Sequence, residues 1–221
     1  MNELGQIRVS LLGTSGLLFS APEPLSIETQ QKIWALAQLC ESWSEVLEAV
    51  PGMNNLMITF KNMPADISEL EQRVLDAWST VEALKKVGRV IELPVIYGGD
   101  EYGPHMQDVV SHTGLSIEAV VERHSAPLYP VYALGSHPGF CYLGGMDPVL
   151  STPRRTVPIV DLPGGAVSIG GIQTGVSASA GPSGWNTIGR TKMQFFDVMK
   201  SPPALCSPGD LIRFCVEDII Q

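Results

Sequence analysis

Residue types able to do chemistry gather in the second half of the chain. His124 falls at the end of a helical pattern, where it could act as a general acid or base; interaction with the helix dipole would account for the same position. Arg154 and Arg155, after Thr152-Pro153, make a cationic fork suited to a carboxylate or phosphate, or an exposed salt-bridged turn. The loop from Gly135 to Gly145 carries Pro138, Gly139, Phe140 and Tyr142; so many glycines and aromatics are costly to order unless their shape is used, which makes it a candidate pocket wall. Gly170 to Gly175 encloses Gln173 and Thr174, either a close backbone approach to a ligand around Gly171 or a tight hairpin. Trp185 and Arg190 belong to a turn-strand-cation run from Gly181 to Thr191 in which the tryptophan could equally be core.

These residues must be held by strands. Between 131 and 191 there are twelve glycines and six prolines, with short Val, Ile and Thr runs between them, as in a barrel or folded sheet. Strands are expected at Val157–Val160, Ala166–Ile169, Val176–Ala178 and Leu211–Val216. Two short helices, Met106–Ser111 and Ser116–His124, precede them, separated by Gly114. Residues 1–97 read as a separate α+β unit. Apolar runs at Gln6–Leu12, Leu17–Ser20, Glu45–Val50 and Asn55–Phe60 alternate with a helix from about Ser26 and a second one capped by Asp66, with Ile67, Leu70, Val74, Val81 and Leu84 at helical spacing. Pro51, Gly52 and Asn54 mark a hairpin. A last strand near Val90–Ile96 completes this unit, and the glycines and proline of Tyr97–Pro104 read as a linker or long loop.

Composition excludes several classes. Apolar residues make up 44% of the chain and charged residues 17%, which suits a globular core. The net charge of −9 is spread over both halves, and Lys85, Lys86 and Arg89 form the one short basic cluster before residue 100, so a duplex nucleic acid partner is not expected. Four scattered cysteines fit neither a zinc motif nor a disulfide framework and favour a reducing, cytoplasmic setting. The run Leu11–Ala21 is broken by Gly13-Thr14-Ser15-Gly16 and follows Glu3, unlike a secretory leader. No P-loop, nucleophile elbow or paired-histidine zinc helix is present. No metal site is expected from this chain alone.

Taken in order, His124-Ser125, Tyr129–Leu134, Pro138-Gly139-Phe140, Tyr142-Leu143-Gly144, Thr152-Pro153-Arg154-Arg155, Gln173-Thr174-Gly175, Gly184-Trp185, Gly189-Arg190-Thr191 and Pro208-Gly209-Asp210 resemble the family that holds the 5-oxoprolinase B subunit, the kinase inhibitor KipI and allophanate hydrolase subunit 1. Gln31-Lys32-Ile33-Trp34 and Pro51-Gly52-Met53-Asn54-Asn55 are closer to the 5-oxoprolinase branch. The resemblance implies an α+β protein: a ferredoxin-like α/β sandwich over 1–97, then a cyclophilin-like β-barrel over 98–221. It further implies one component of an ATP-dependent enzyme that opens 5-oxo-L-proline to L-glutamate beside a homologous C subunit and an A subunit, inactive alone. The alternatives are a KipI-like inhibitor of a sensor histidine kinase and a component of an allophanate-hydrolysing enzyme. On this reading ATP, with Mg2+, sits at a site shared with the C subunit; His124, Arg154 and Arg155 are catalytic; Pro138, Gly139, Phe140, Tyr142, Gly171, Gln173, Thr174, Trp185 and Arg190 bind substrate or ATP. Ser136 and Cys141 stand where the family usually has phenylalanine and proline, so the pocket wall is expected to differ in shape.

Overall fold

A computed structural model describes residues 6–84 and 88–221, in two compact units that divide at residues 86 and 87. Lys85 and Lys86 of the basic cluster lie outside the described residues.

The first unit is a four-stranded antiparallel sheet with two helices. Its elements are β1 (Arg8–Leu12), β2 (Gly16–Ser20), α1 (Ile27–Glu41), β3 (Val46–Pro51), β4 (Asn55–Phe60) and α2 (Ile67–Thr80), and the strand order is β1-β2-β4-β3. The Ser26 side chain accepts from the Thr29 N–H to start α1, and Asp66 accepts from the Glu69 N–H to start α2. Ile33, Leu36, Ala37 and Cys40 of α1 recur on one face, as do Leu70, Val74, Ala77 and Trp78 of α2. Both faces bury against Leu17, Phe19, Leu56, Ile58 and Phe60 of the sheet, and each large side chain so buried contributes about 1.5–3 kcal/mol. The second helix ends at Thr80, earlier than its apolar spacing suggests: Val81 is already extended, and the Leu84 N–H donates to Gln31 O.

The element order ββαββα is not the ferredoxin-like order expected of residues 1–97, which needs a strand after the second helix. The edge beside β2 is filled instead by β1, delivered through the Gly13 turn. The strand expected to close this unit, β5 (Val90–Gly98), belongs to the second unit, where it pairs in parallel with β13 (Leu211–Ile220). Alternation of Leu93, Val95 and Tyr97 specifies a half-buried strand but not its partner. Nor is Tyr97–Pro104 a linker. Gly98, at φ 72°, turns the chain off the barrel where a Cβ would stand 2.0 Å from Ile220 O, and the helical turn α3 (Gly99–Tyr102) follows.

The second unit is a closed seven-stranded barrel ordered β10-β7-β6-β13-β5-β12-β9, with β6 (Leu128–Leu134), β7 (Cys141–Leu143), β9 (Ala166–Gly170), β10 (Gln173–Val176) and β12 (Asn186–Arg190). A separate two-stranded sheet joins β8 (Ile159–Leu162) to β11 (Gly181–Ser183). The helices α4 (Met106–Thr113) and α5 (Ile117–Ser125) lie where the sequence places two short helices, with Gly114 left-handed between them and Ser116 capping the second. Their apolar residues Met106, Val109, Val120 and Val121 join Leu93, Val95, Val131, Val167, Ile188 and Phe214 in one core. The whole is a mixed α+β protein.

Candidate functional site

The strand β7 and the loop before it bring Ser136, His137, Phe140 and Tyr142 to one wall of a cavity of about 190 Å³. Arg154, Ser168, Ser177, Pro182, Ser183, Gly184 and Trp185 complete it. This is below the ~300 Å³ at which pockets for drug-sized ligands begin, and suits a small ring better than a whole nucleotide.

Trp185 organises the wall. Its ring lies against Gly170, where a Cβ would come within 2.5 Å of the indole, and against Gly175, where one would come within 3.3 Å. These two strand glycines therefore make room for an aromatic cluster. Phe140 stands at 5.9 Å from Trp185 and Tyr142 at 6.2 Å, both edge to face, and Phe140 and Tyr142 meet at 4.7 Å. The Gly170–Gly175 stretch is the β9–β10 hairpin, closed by Thr152 and Gly171, whose N–H and C=O groups bond to each other. Gly171 thereby ties the Arg154 segment to the barrel, and its N–H is already used.

The two adjacent arginines separate. Arg155 pairs with Asp108 of α4 at 2.6 Å, so it braces a helix rather than facing the cavity. Arg154 makes no ion pair among the described residues; its guanidinium lies 5.5 Å from the Trp185 ring and lines the cavity. Arg190 pairs with Glu101 at 2.9 Å and covers Tyr102 at 4.9 Å, outside the cavity lining. The cavity's free cation is thus Arg154, exposed and ready for an anion.

His124 is not in the cavity. It is fully buried among Tyr97, Tyr129 and Phe214, with Nδ1 2.9 Å from the Tyr97 hydroxyl and Nε2 2.9 Å from Thr174 Oγ1. Thr174 donates its own proton to Ser168 O at 3.0 Å. It must therefore accept from the imidazole, which fixes the N–H on Nε2 and leaves Nδ1 to accept from tyrosine. Burial drives the His124 pKa down to about 3, so the ring is neutral across the physiological range. The expected proton-transfer role does not fit this sealed setting. Thr174, with no exposed surface, belongs to the same buried chain, which runs on to Ser168 at the cavity floor; the Ser168 hydroxyl meets Thr187 Oγ1 at 3.0 Å.

Of the residues expected at a site, Phe140, Tyr142, Arg154 and Trp185 come together around one cavity. Pro138 is exposed and Gly139 packs under Phe195 and Phe196, beside it rather than in it; Gln173 is half-buried on β10 and also outside the lining. His137, Ser168, Ser177 and Ser183 also line the cavity, although none of them is expected at a site from the sequence. His137 and Ser183 lie inside the Gly135–Gly145 and Gly181–Thr191 runs and Ser177 follows the Gln173-Thr174-Gly175 turn, where the chain departs from the family pattern, whereas Ser168 carries no local signal. No carboxylate lines the cavity, and no group of three or more His, Cys, Asp or Glu among the described residues could hold a metal ion.

Residues 7–206 match the model of the carboxyltransferase domain, subdomain C and D. The chain belongs to that family. Among curated members, it is 42% identical to the 5-oxoprolinase B subunit of Escherichia coli O157:H7 over 207 residues, 94% of each chain. Against the 5-oxoprolinase B subunit of Bacillus subtilis (strain 168) identity is 31% over 94% of this chain and 91% of that one. Among solved structures, TTHA0988 superposes with a TM-score of 0.75 at 33% identity, covering 96% of this chain and 40% of that longer one. The Kluyveromyces lactis urea amidolyase, 16% identical with a TM-score of 0.81 over 96% of this chain and 15% of that one, shares the fold. In this carboxyltransferase-family chain, as described, no helix is long and apolar enough to cross a membrane.

Proposed function

We propose that this chain is the B subunit of an ATP-dependent 5-oxoprolinase, and that the Arg154–Trp185 cavity holds 5-oxo-L-proline. The observation that carries the reading is an unpaired arginine on the rim of a small, aromatic-walled cavity, in a chain that matches named 5-oxoprolinase B subunits along nearly their whole length. The substrate is a five-membered lactam with one carboxylate. Arg154 would take the carboxylate through charge-assisted hydrogen bonds, with its stem ordered against the indole. Phe140, Tyr142 and Trp185 would cover the ring's apolar edge, and the serine hydroxyls would meet its polar groups.

Opening the lactam requires loss of amide resonance. Phosphorylation of the amide oxygen by ATP makes the ring carbon electrophilic; water adds there, the C–N bond breaks as the nitrogen takes up a proton to leave an acyl phosphate, and a second water displaces phosphate to give glutamate. This chain's share is to bind and orient the lactam. Its cavity is too small for the nucleotide as well, and without a lining carboxylate it does not fit Mg2+. We place ATP at the mouth, on a surface completed by the homologous C subunit, with an A subunit supplying the rest of the reaction. The isolated chain is then inactive, and the use of ATP places the assembly in the cytoplasm.

The test is ATP hydrolysis dependent on added 5-oxo-L-proline, measured on the tagged chain purified with the proteins that accompany it. Activity that disappears when the partners are stripped away supports the reading. A complex that binds its partners yet hydrolyses no ATP in response to 5-oxo-L-proline refutes it.

A further inference from the structure

Both helices of the first unit pack on one face of its four-stranded sheet, the face of Leu17, Phe19 and Ile58. Side chains alternate across a strand, so the opposite face carries Leu12 of β1, Leu18 of β2, Met57 of β4 and Val50 of β3. Leu18, Met57 and Val50 stand side by side, because Leu18 pairs with Met57 and Met57 with Val50. None of the four joins the core cluster of the unit, and Leu12 is 43% exposed. A sheet covered on one side normally turns polar residues to water on the other. An apolar row across the middle of that side, with a polar rim, marks a surface that has a partner.

The rim says what that partner is. Of the strand positions on this face, Arg8 and Glu48 alone are charged, and they stand at diagonally opposite corners. Arg8 is on the edge strand β1 in the row of Ser20 and Asn55, and Glu48 is on the edge strand β3 in the row of Leu12, Gly16 and Thr59. Both are exposed, and neither is in an ion pair among the described residues. Three strand spacings by four residue rises make the face nearly square, roughly 14 Å by 13 Å between corner residues. A square face with unlike charges on one diagonal is complementary to itself. A two-fold axis along the other diagonal lays two copies face to face with their strands crossed at about 90°, one of the two standard packings of sheets, and sets Arg8 of each copy over Glu48 of the other. Sheets so packed lie about 10 Å apart, within the combined reach of the two side chains. The same axis passes between Leu18 and Met57 and brings Leu12 of one copy against Leu12 of the other. Aligned packing would instead set both charges over neutral corners.

We propose that the free face of this sheet is the interface of a symmetric dimer of the chain, packed orthogonally around Leu18 and Met57 and closed by two reciprocal Arg8–Glu48 ion pairs. Two such faces remove on the order of 1,000 Å² of accessible surface, the lower bound for a specific association, which places the dimer in the micromolar range. The apolar centre supplies most of the affinity, and the charged corners choose the crossed arrangement over the aligned one. The dimer is independent of the substrate reading, since it uses no residue of the cavity.

The experiment is sedimentation equilibrium of the full chain without other subunits, over concentrations either side of ~10 µM. The wild type passes from monomer to dimer across that range. Met57→Lys puts a charge at the centre of the face and abolishes the dimer. Arg8→Glu and Glu48→Arg each bring like charges together at both corners and weaken it by about 10-fold or more. The double variant Arg8→Glu/Glu48→Arg rebuilds both pairs with the signs exchanged and recovers most of the wild-type affinity. The corner positions are exposed, so these variants decide the matter even where Met57→Lys fails to fold. A wild type still monomeric at about ten times the expected Kd, a dimer that Met57→Lys leaves intact, or a double variant no tighter than the two single ones overturns the proposal. A monomeric chain whose association with the other subunits is lost in Met57→Lys gives the face to one of them, and overturns self-association as well.

Discussion

Replacing His124 by glutamine tests whether this ring is a buried neutral strut or a proton carrier. In the unfolded chain its pKa is the ordinary 6.5, and in the barrel burial lowers it to about 3. Between those values the unfolded chain binds a proton that the folded barrel refuses, so falling pH favours unfolding by about 1.4 kcal/mol per unit. The cost begins at 6.5, reaches about 2 kcal/mol at pH 5, and levels off below the folded pKa. His105 and His137, also lowered by burial, act in the same direction but are common to wild type and variant. Asp147 and Asp210, held below the ordinary carboxylate range, lose their contribution only at more acidic pH. The glutamine variant should be weaker at pH 7.5 by about 1–3 kcal/mol, because Tyr97 or Thr174 loses a partner. Urea unfolding of both proteins between pH 7.5 and 5, followed by near-ultraviolet circular dichroism, measures the difference. The wild-type advantage should shrink by about 2 kcal/mol across that range. A constant advantage would mean that His124 already binds its proton in the folded barrel, and would return it to the list of proton donors.

Arg154→Ala should lower kcat/KM of the assembled enzyme for 5-oxo-L-proline by about 10- to 100-fold, through loss of charge-assisted hydrogen bonds. In contrast, Arg155→Ala should leave most of the activity in the same assay and cost about 1 kcal/mol or less in unfolding, as for other exposed ion pairs. Gly170→Ala places a methyl group against the Trp185 indole and should displace that ring, with a loss of about 1–3 kcal/mol in urea unfolding and a change in the tryptophan near-ultraviolet spectrum. Asp210→Ala removes a buried carboxylate that accepts from the Arg89 side chain and from the N–H groups of Arg89 and Ser207; the exposed Arg89 guanidinium rehydrates, but the two N–H groups lose their acceptor, so the barrel should be destabilised by about 1–3 kcal/mol, read by thermal unfolding.

Local chemistry made the local elements legible. Ser26, Asp66 and Ser116 started their helices, Gly114 ended one, and Pro51-Gly52 marked a turn, because caps and turns depend on residues within a few positions. Assignments to a sheet failed where the deciding partner was distant. The alternation in Val90–Tyr97 looks the same in either unit, and only pairing with Leu211–Ile220 decides between them. The same distinction runs through the site. Phe140, Tyr142 and Trp185 were recognisable as a wall because aromatics beside glycines are conspicuous. By contrast, Arg154 and Arg155 are neighbours with identical side chains, and their opposite uses depend on Asp108, which lies far away in the sequence. His124 sits where a helix end would be expected to meet water, yet Tyr97 and Thr174 close over it from two other strands.

The parallel pairing of β5 with β13 has a consequence for biosynthesis. The first strand of the barrel leaves the ribosome more than a hundred residues before its neighbour in the sheet, and β6 also awaits that neighbour. The ββαββα unit is built from one contiguous stretch of chain and can mature while translation continues. The barrel cannot. Until residues 211–220 arrive, Val90–Gly98 presents an open apolar edge to the cellular milieu, and a ribosome that stalls late in the message releases a chain with one folded half and one adhesive half. The last ten-residue strand is therefore the clasp of the barrel, and premature stop codons within it should yield aggregates or proteolytic fragments that retain the first unit.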